Sequence, residues 1–123
     1  MFWKKSEHQD KVDIEWIRLN SLEQLDSIKK ESYDQLVLIY KHSTRCGISS
    51  MVLNRLERDW SKDLITIKTY YLDLIAFRNV SNAIAEVFKV YHESPQVLLI
   101  KDGEVIFDAS HSSISAESLK KFE

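Results

Sequence analysis

Cys46 is the only cysteine in a chain of 123 residues. A lone thiol excludes a disulfide within the chain and a four-cysteine zinc site. It is either a small buried apolar residue or a reactive group. Lys41, His42 and Arg45 precede it, and Gly47 and Ser49 follow it. The polar stretch Lys41-His42-Ser43-Thr44-Arg45-Cys46-Gly47 comes straight after the unbroken apolar run Leu36-Val37-Leu38-Ile39-Tyr40. Beyond it, Ile48, Val52, Leu56 and Trp60 recur at helical spacing. The thiol therefore falls where a buried strand turns into an amphipathic helix. A cysteine there faces backbone N–H groups that have no partner inside the helix. Those donors stabilise the thiolate, which is the nucleophile in thiol–disulfide exchange. Arg45, Lys41 and His42 add positive potential, and Ser49 has an N–H and a hydroxyl to offer the sulfur. Position alone leaves both readings of Cys46 open, the inert turn residue and the reactive thiol.

The elements that must position this turn can be read from periodicity. Residues 12–19 alternate, with Val12, Ile14 and Trp16 on one side, and predict a first strand. Ser21, with Gln24 as its reciprocal partner, predicts a helix cap, followed by a stripe of Leu22, Leu25 and Ile28 ending near Lys29-Lys30. Residues 35–40 read as a central strand buried on both faces, and 64–74 as a third strand. Asn79 is expected to cap a helix whose buried face carries Val80, Ile84, Val87 and Phe88. Two apolar runs, Val97–Ile100 and Glu104–Phe107, flank Asp102-Gly103, a strong hairpin signal. A last helix begins near Ser115, with Leu119 and Phe122 on its apolar face. Alternating strands and helices followed by a hairpin predict an α/β domain. Its central mixed sheet ends in a C-terminal antiparallel hairpin and is flanked by about four helices. Residues 1–11 are expected to form a loose arm and 12–123 a single domain.

Composition narrows the function. An apolar share of 44% argues against disorder, and two Gly and one Pro argue against a turn-rich β-sandwich. The balance of 17 basic and 19 acidic residues gives no reason to expect nucleic acid or a membrane surface as partner. After Met1-Phe2-Trp3-Lys4-Lys5 there is no apolar run of a secretory signal, so a cytoplasmic location is expected. His8, His92 and His111 form no ligand pattern with Cys46, so no metal is expected.

The order of elements, the Cys46-Gly47-Ile48-Ser49 turn and Ser94-Pro95 before the penultimate strand resemble the thioredoxin fold over residues 12–122. The resemblance implies a monothiol variant, with Ser49 where thioredoxins carry their second cysteine. It also implies a cis bond before Pro95, a bond geometry almost confined to X–Pro, beside backbone that docks the substrate disulfide. Tyr40 stands where most thioredoxins keep a buried acid, so proton transfer would rely on water or His42. Lys41-His42-Ser43, Cys46, Ile48-Ser49, Glu93-Ser94-Pro95-Gln96 and Ser110-His111 further resemble the monothiol bacilliredoxin family (YtxJ-like, of the bacillithiol system). Gly47 replaces that family's usual proline, and Arg45 its small polar residue.

This second resemblance implies a thiol–disulfide oxidoreductase. Cys46 would remove a low-molecular-weight thiol of bacillithiol type from protein mixed disulfides, with Ser49 orienting the thiolate. Arg45 and Lys41 would meet the small thiol's carboxylates, and His42, Gly47, Ser94 and Pro95 would complete the binding site. No cofactor is implied beyond the small thiol itself as co-substrate. The partners would be proteins carrying mixed disulfides. Two other functions fit the same motifs. One is a monothiol glutaredoxin-type protein using glutathione or holding an iron–sulfur cluster. The other is a non-catalytic thioredoxin-like module that binds extended peptides beside Ser94-Pro95.

Overall fold

The computed structural model describes residues 11–123, so the expected arm lies outside the described residues except for Lys11. Five strands form one sheet: β1 (Ile17–Arg18), β2 (Val37–His42), β3 (Lys68–Asp73), β4 (Gln96–Lys101) and β5 (Glu104–Ser110). Their spatial order is β1-β3-β2-β4-β5. β1 and β2 run parallel to β3, while β4 is antiparallel to β2 and β5. The helices are α1 (Glu23–Glu31), α2 (Gly47–Arg58), α3 (Arg78–Val87) and α4 (Ala116–Lys120), with short 3-10 turns at Lys62–Leu64 and His111–Ser113. The mixed sheet, the terminal hairpin and the four helices match the predicted architecture.

Two cores form because side chains on a strand point alternately to opposite faces. Val37 and Ile39 on β2 and Leu98 and Ile100 on β4 pack with Leu25 and Ile28 of α1 and Val80 and Ile84 of α3. Leu38, Tyr40, Val97 and Leu99 pack on the other face with Val52 and Leu56 of α2 and Leu119 of α4. β2 is buried along its whole length, as a central strand covered by helices on both faces must be.

Several sequence expectations are revised in detail. Val12, Ile14 and Trp16 do face the second core, but only Ile17–Arg18 joins the sheet. β3 starts only at Lys68, so the upstream segment has no partner strand; it is tied by Val12 N–H to the Trp60 carbonyl and by Thr69 Oγ1 to the Glu15 carbonyl. The expected strand over 64–74 is shortened to Lys68–Asp73, because its pairing with β2 starts at Val37 opposite Lys68, and Leu64 and Ile67 pack into the second core from the preceding turn. The Ser21–Gln24 pairing exists, but with Gln24 Oε1 accepting from the Asn20 and Ser21 N–H groups, and the helix begins one turn position later behind an exposed Leu22. Asn79 lies inside α3 and does not cap it; Val87 is exposed while Val80, Ile84 and Phe88 are buried. Ile48 is also exposed, so the buried apolar stripe of α2 begins at Val52, after the buried Ser49. α4 begins near Ser115 as expected, and Ser115 caps it, its side chain accepting from Ser118 N–H, while Phe122 lies beyond the helix and packs on Phe107.

The hairpin turn places Asp102 and Gly103 at positive φ, as an Asp-Gly turn requires. The α1 end secures it: Ser32 accepts from Asp102 N–H through its carbonyl and from Gly103 N–H through its hydroxyl.

Candidate functional site

Cys46 is the N-cap residue of α2, in extended conformation, and is partly exposed. Its N–H donates to the Ser43 carbonyl, and its own carbonyl accepts from Ser50 N–H. The sulfur makes no capping bond, so the first-turn N–H groups of a 12-residue helix are left facing it. Gly47 is the first helical residue; it is exposed, and nothing lies within 4 Å of where a Cβ would be. Nothing in this geometry requires glycine there. Arg45 is exposed and carries no side-chain partner among the described residues. Ile48 and Met51, 55% and 64% exposed, put apolar surface on the same helix end.

Ser49 turns away from the thiol toward β2. It is fully buried; its hydroxyl lies 2.7 Å from His42 Nδ1 and accepts from Ser43 N–H at 3.2 Å. Its carbonyl accepts from the Tyr40 hydroxyl at 3.0 Å. Tyr40 and His42, two apart on β2, thus lock the first turn of α2 onto the strand. Burial pushes the Tyr40 phenol up to about 12, so it remains a neutral donor. Burial also pushes the His42 imidazole below its ordinary range, against the opposing fields of Asp73 and Glu57, and the ring is neutral at pH 7. It leans on the rings of Tyr40 and Tyr71, with centroids 6.1 and 5.5 Å away.

Lys41 is not a surface cation beside the thiol. It lies between Tyr40 and His42 on β2, so it points to the opposite face of the sheet and is fully buried there. Its Nζ lies 2.7 Å from His92 Nδ1 and 3.2 Å from Gln96 Oε1. Desolvation lowers its pKa to about 8, partly offset by Glu93.

β2 ends and β4 begins at the same end of the sheet, because Lys41 pairs with Gln96 across antiparallel strands. The turn bearing Cys46 and the Ser94-Pro95 segment therefore share one end of the molecule. The Ser94–Pro95 bond is cis, as the fold resemblance implies. Ser94 Oγ is buried without a hydrogen-bond partner. Pro95 is held from β5's end by His111 N–H, which donates to its carbonyl at 3.0 Å, and the His111 ring lies 3.5 Å from Glu93.

The sequence reading passed over His92, Gln96 and His111 as site-shaping residues. One available signal was Lys41 itself, a lysine continuing an apolar strand run, which demands polar partners once buried. A cavity of about 600 Å³, lined by Ile14, Trp16, Trp60 and Ile67 among others, contains none of the predicted site residues. Among the described residues no cluster of His, Cys, Asp or Glu could hold a metal ion, and no helix is long and apolar enough to cross a membrane.

The family model described as monothiol bacilliredoxin BrxC matches residues 17–119. Among solved structures, a protein described as a candidate oxidoreductase with a thioredoxin fold is 31% identical, with a TM-score of 0.72; the match covers 85% of this chain and 90% of that one. Thioredoxin from Malassezia sympodialis is 16% identical with a TM-score of 0.68, covering 88% of this chain and 87% of that one. Mitochondrial thioredoxin 3 from Saccharomyces cerevisiae is 19% identical with a TM-score of 0.67, covering 87% and 92%. At these lower identities the likeness is one of fold.

Proposed function

The chain belongs to the monothiol bacilliredoxin family, and from that premise we propose that it is a thiol–disulfide oxidoreductase that strips a low-molecular-weight thiol of bacillithiol type from protein mixed disulfides. The observation that carries the reading is Cys46 at the open N-terminus of α2, partly exposed, at the same end of the sheet as the Ser94–Pro95 segment.

The Cys46 thiolate attacks the small-thiol sulfur of the mixed disulfide. The bond between that sulfur and the target's sulfur breaks, the target leaves as a thiolate, and the small thiol remains disulfide-bonded to Cys46. The chain's single cysteine leaves no internal thiol to resolve this adduct. A second small thiolate, attacking the small-thiol sulfur, releases Cys46 and a small-thiol disulfide. Arg45, exposed and free of protein partners among the described residues, suits the carboxylates of an anionic small thiol. His42, neutral and bonded to Ser49, steadies the turn and remains available for proton transfer through water. The protein acts where such mixed disulfides form, in a reducing cytoplasm.

The deciding test is to incubate the reduced protein and Cys46→Ser separately with oxidised bacillithiol and oxidised glutathione, and to follow adducts by intact-mass spectrometry. A single bacillithiol adduct is expected, forming fast, absent from the variant and slower with glutathione. Preference for glutathione would move the assignment to the glutaredoxin type. A thiol no faster than free cysteine with either compound would leave only the peptide-binding module.

A further inference from the structure

A buried ammonium is costly unless its protons are matched by acceptors. Lys41 meets this demand entirely from one segment. Its Nζ lies 2.7 Å from His92 Nδ1 and 3.2 Å from Gln96 Oε1. An ammonium only donates, so His92 presents the lone pair of Nδ1 and carries its ring proton on Nε2. Gln96 passes the grip onward: its Oε1 also accepts from Glu93 N–H at 3.3 Å, and its Nε2 donates to the Tyr91 carbonyl at 3.0 Å. Residues 91, 92, 93 and 96 are thus all fastened, directly or at one remove, to a single side chain on β2. The two residues left between these anchors are Ser94 and Pro95. Among the described residues they have no hydrogen bond to Lys41 of their own, and the Pro95 carbonyl is held from β5's end by His111 N–H.

We propose that Lys41 is a positioning residue: by gripping His92 and Gln96 it sets the Ser94–Pro95 segment beside the Cys46 turn, and so governs the docking of protein substrates without binding the small thiol. This rests on the proposed function, in which that segment receives the mixed disulfide. The alternation along β2 supports it, since Tyr40 and His42 serve the thiol helix on one face while Lys41 serves the docking segment from the other.

The test compares wild type with Lys41→Met and with His92→Ala, the second made at an exposed residue so that β2 is untouched. Turnover is measured on a protein carrying a small-thiol mixed disulfide, and Cys46 reactivity is measured with iodoacetamide and with the anionic small disulfide DTNB. Lys41→Met is expected to lower kcat/KM on the protein substrate about tenfold, in line with the cost of a misplaced docking surface. Both small reagents should react within about twofold of wild type on the same argument. His92→Ala should lose activity in the same direction, by less. The His92 ring, held low first by burial and then by the Lys41 charge, against Glu93, should titrate at higher pH by NMR once Lys41 is gone.

Unchanged turnover in Lys41→Met, or an equal loss with DTNB, overturns the positioning role. If Lys41→Met does not fold, unchanged turnover in His92→Ala overturns it. A His92 titration unmoved by loss of Lys41 overturns the grip itself. A wild-type protein that fails to release the small thiol through Cys46 overturns the proposed function, and the docking role with it, while the titration still reports on the grip.

Discussion

His42 links the thiol turn to pH. Its imidazole is held below its ordinary range chiefly by burial. An unfolded chain therefore binds a proton at this position at a pH where the folded chain does not, and stability is lost as pH falls through that window below about 6.5. His92 acts in the same sense, so the contribution of His42 must be read as a difference. Urea unfolding at pH 7.5 and 5.5 should show a larger loss of midpoint for wild type than for His42→Gln. Equal losses would mean that the ring's burial has no energetic weight. The sequence made Cys46, His42 and Ser49 visible as a group because their types and spacing sit at a strand-to-helix turn. It did not separate Lys41 from Arg45, since both read as cations near a thiol. What separates them is that β2 extends through His42, and this depends on pairing Lys41 with Gln96, a partner 55 residues away.

At the level of elements, α2 begins with a residue type that costs helix stability through its backbone freedom. Gly47 is its first residue, with open space above its Cα and an ordinary negative φ. Proline is favoured at that position, because the N–H it lacks has no partner inside the helix. Cys46, at φ −109° and ψ 117°, already holds the extended conformation that a following proline demands. Gly47→Pro should therefore stabilise the fold by about 0.4–1 kcal/mol, largely by restricting the unfolded chain. Thermal melts check this, and a lower Tm would show that the Gly47 N–H has a structural duty. The hairpin was legible from local chemistry, Asp102-Gly103, and the start of α4 from the polar-to-apolar change near Ser115, because these signals act within a few residues. The first and third strands were overextended because alternation reports burial. Hydrogen bonding to a neighbouring strand, the other requirement, is set by where that neighbour starts.

For the whole molecule, the two cores share one sheet, and β4 serves both. Leu98 and Leu99 are each fully buried, on opposite faces. Leu98→Ala and Leu99→Ala should each cost about 2–5 kcal/mol. In both variants, circular dichroism and tryptophan fluorescence should report a single coincident transition, because neither helical layer retains a complete core when the sheet is lost. Separate transitions in either variant would show that the layers unfold independently. The overall architecture was legible because element order and one hairpin suffice to fix it; the tie between α1's end and the hairpin tip was not, because Ser32 and Gly103 meet only once the sheet has formed.

The alternation along β2 also sets what changes in length the gene can tolerate. A codon inserted in the 43–45 stretch would lengthen the reach of the thiol and leave the strand as it is. A codon inserted within 37–40 would turn each side chain after it to the other face. Lysine would then meet the helix that carries Cys46, histidine would meet residues 91–96, and the tyrosine would leave the second core. Point substitutions can adjust this site one group at a time, whereas its strand can be neither lengthened nor shortened internally by a single residue without exchanging the thiol's support for the docking segment's.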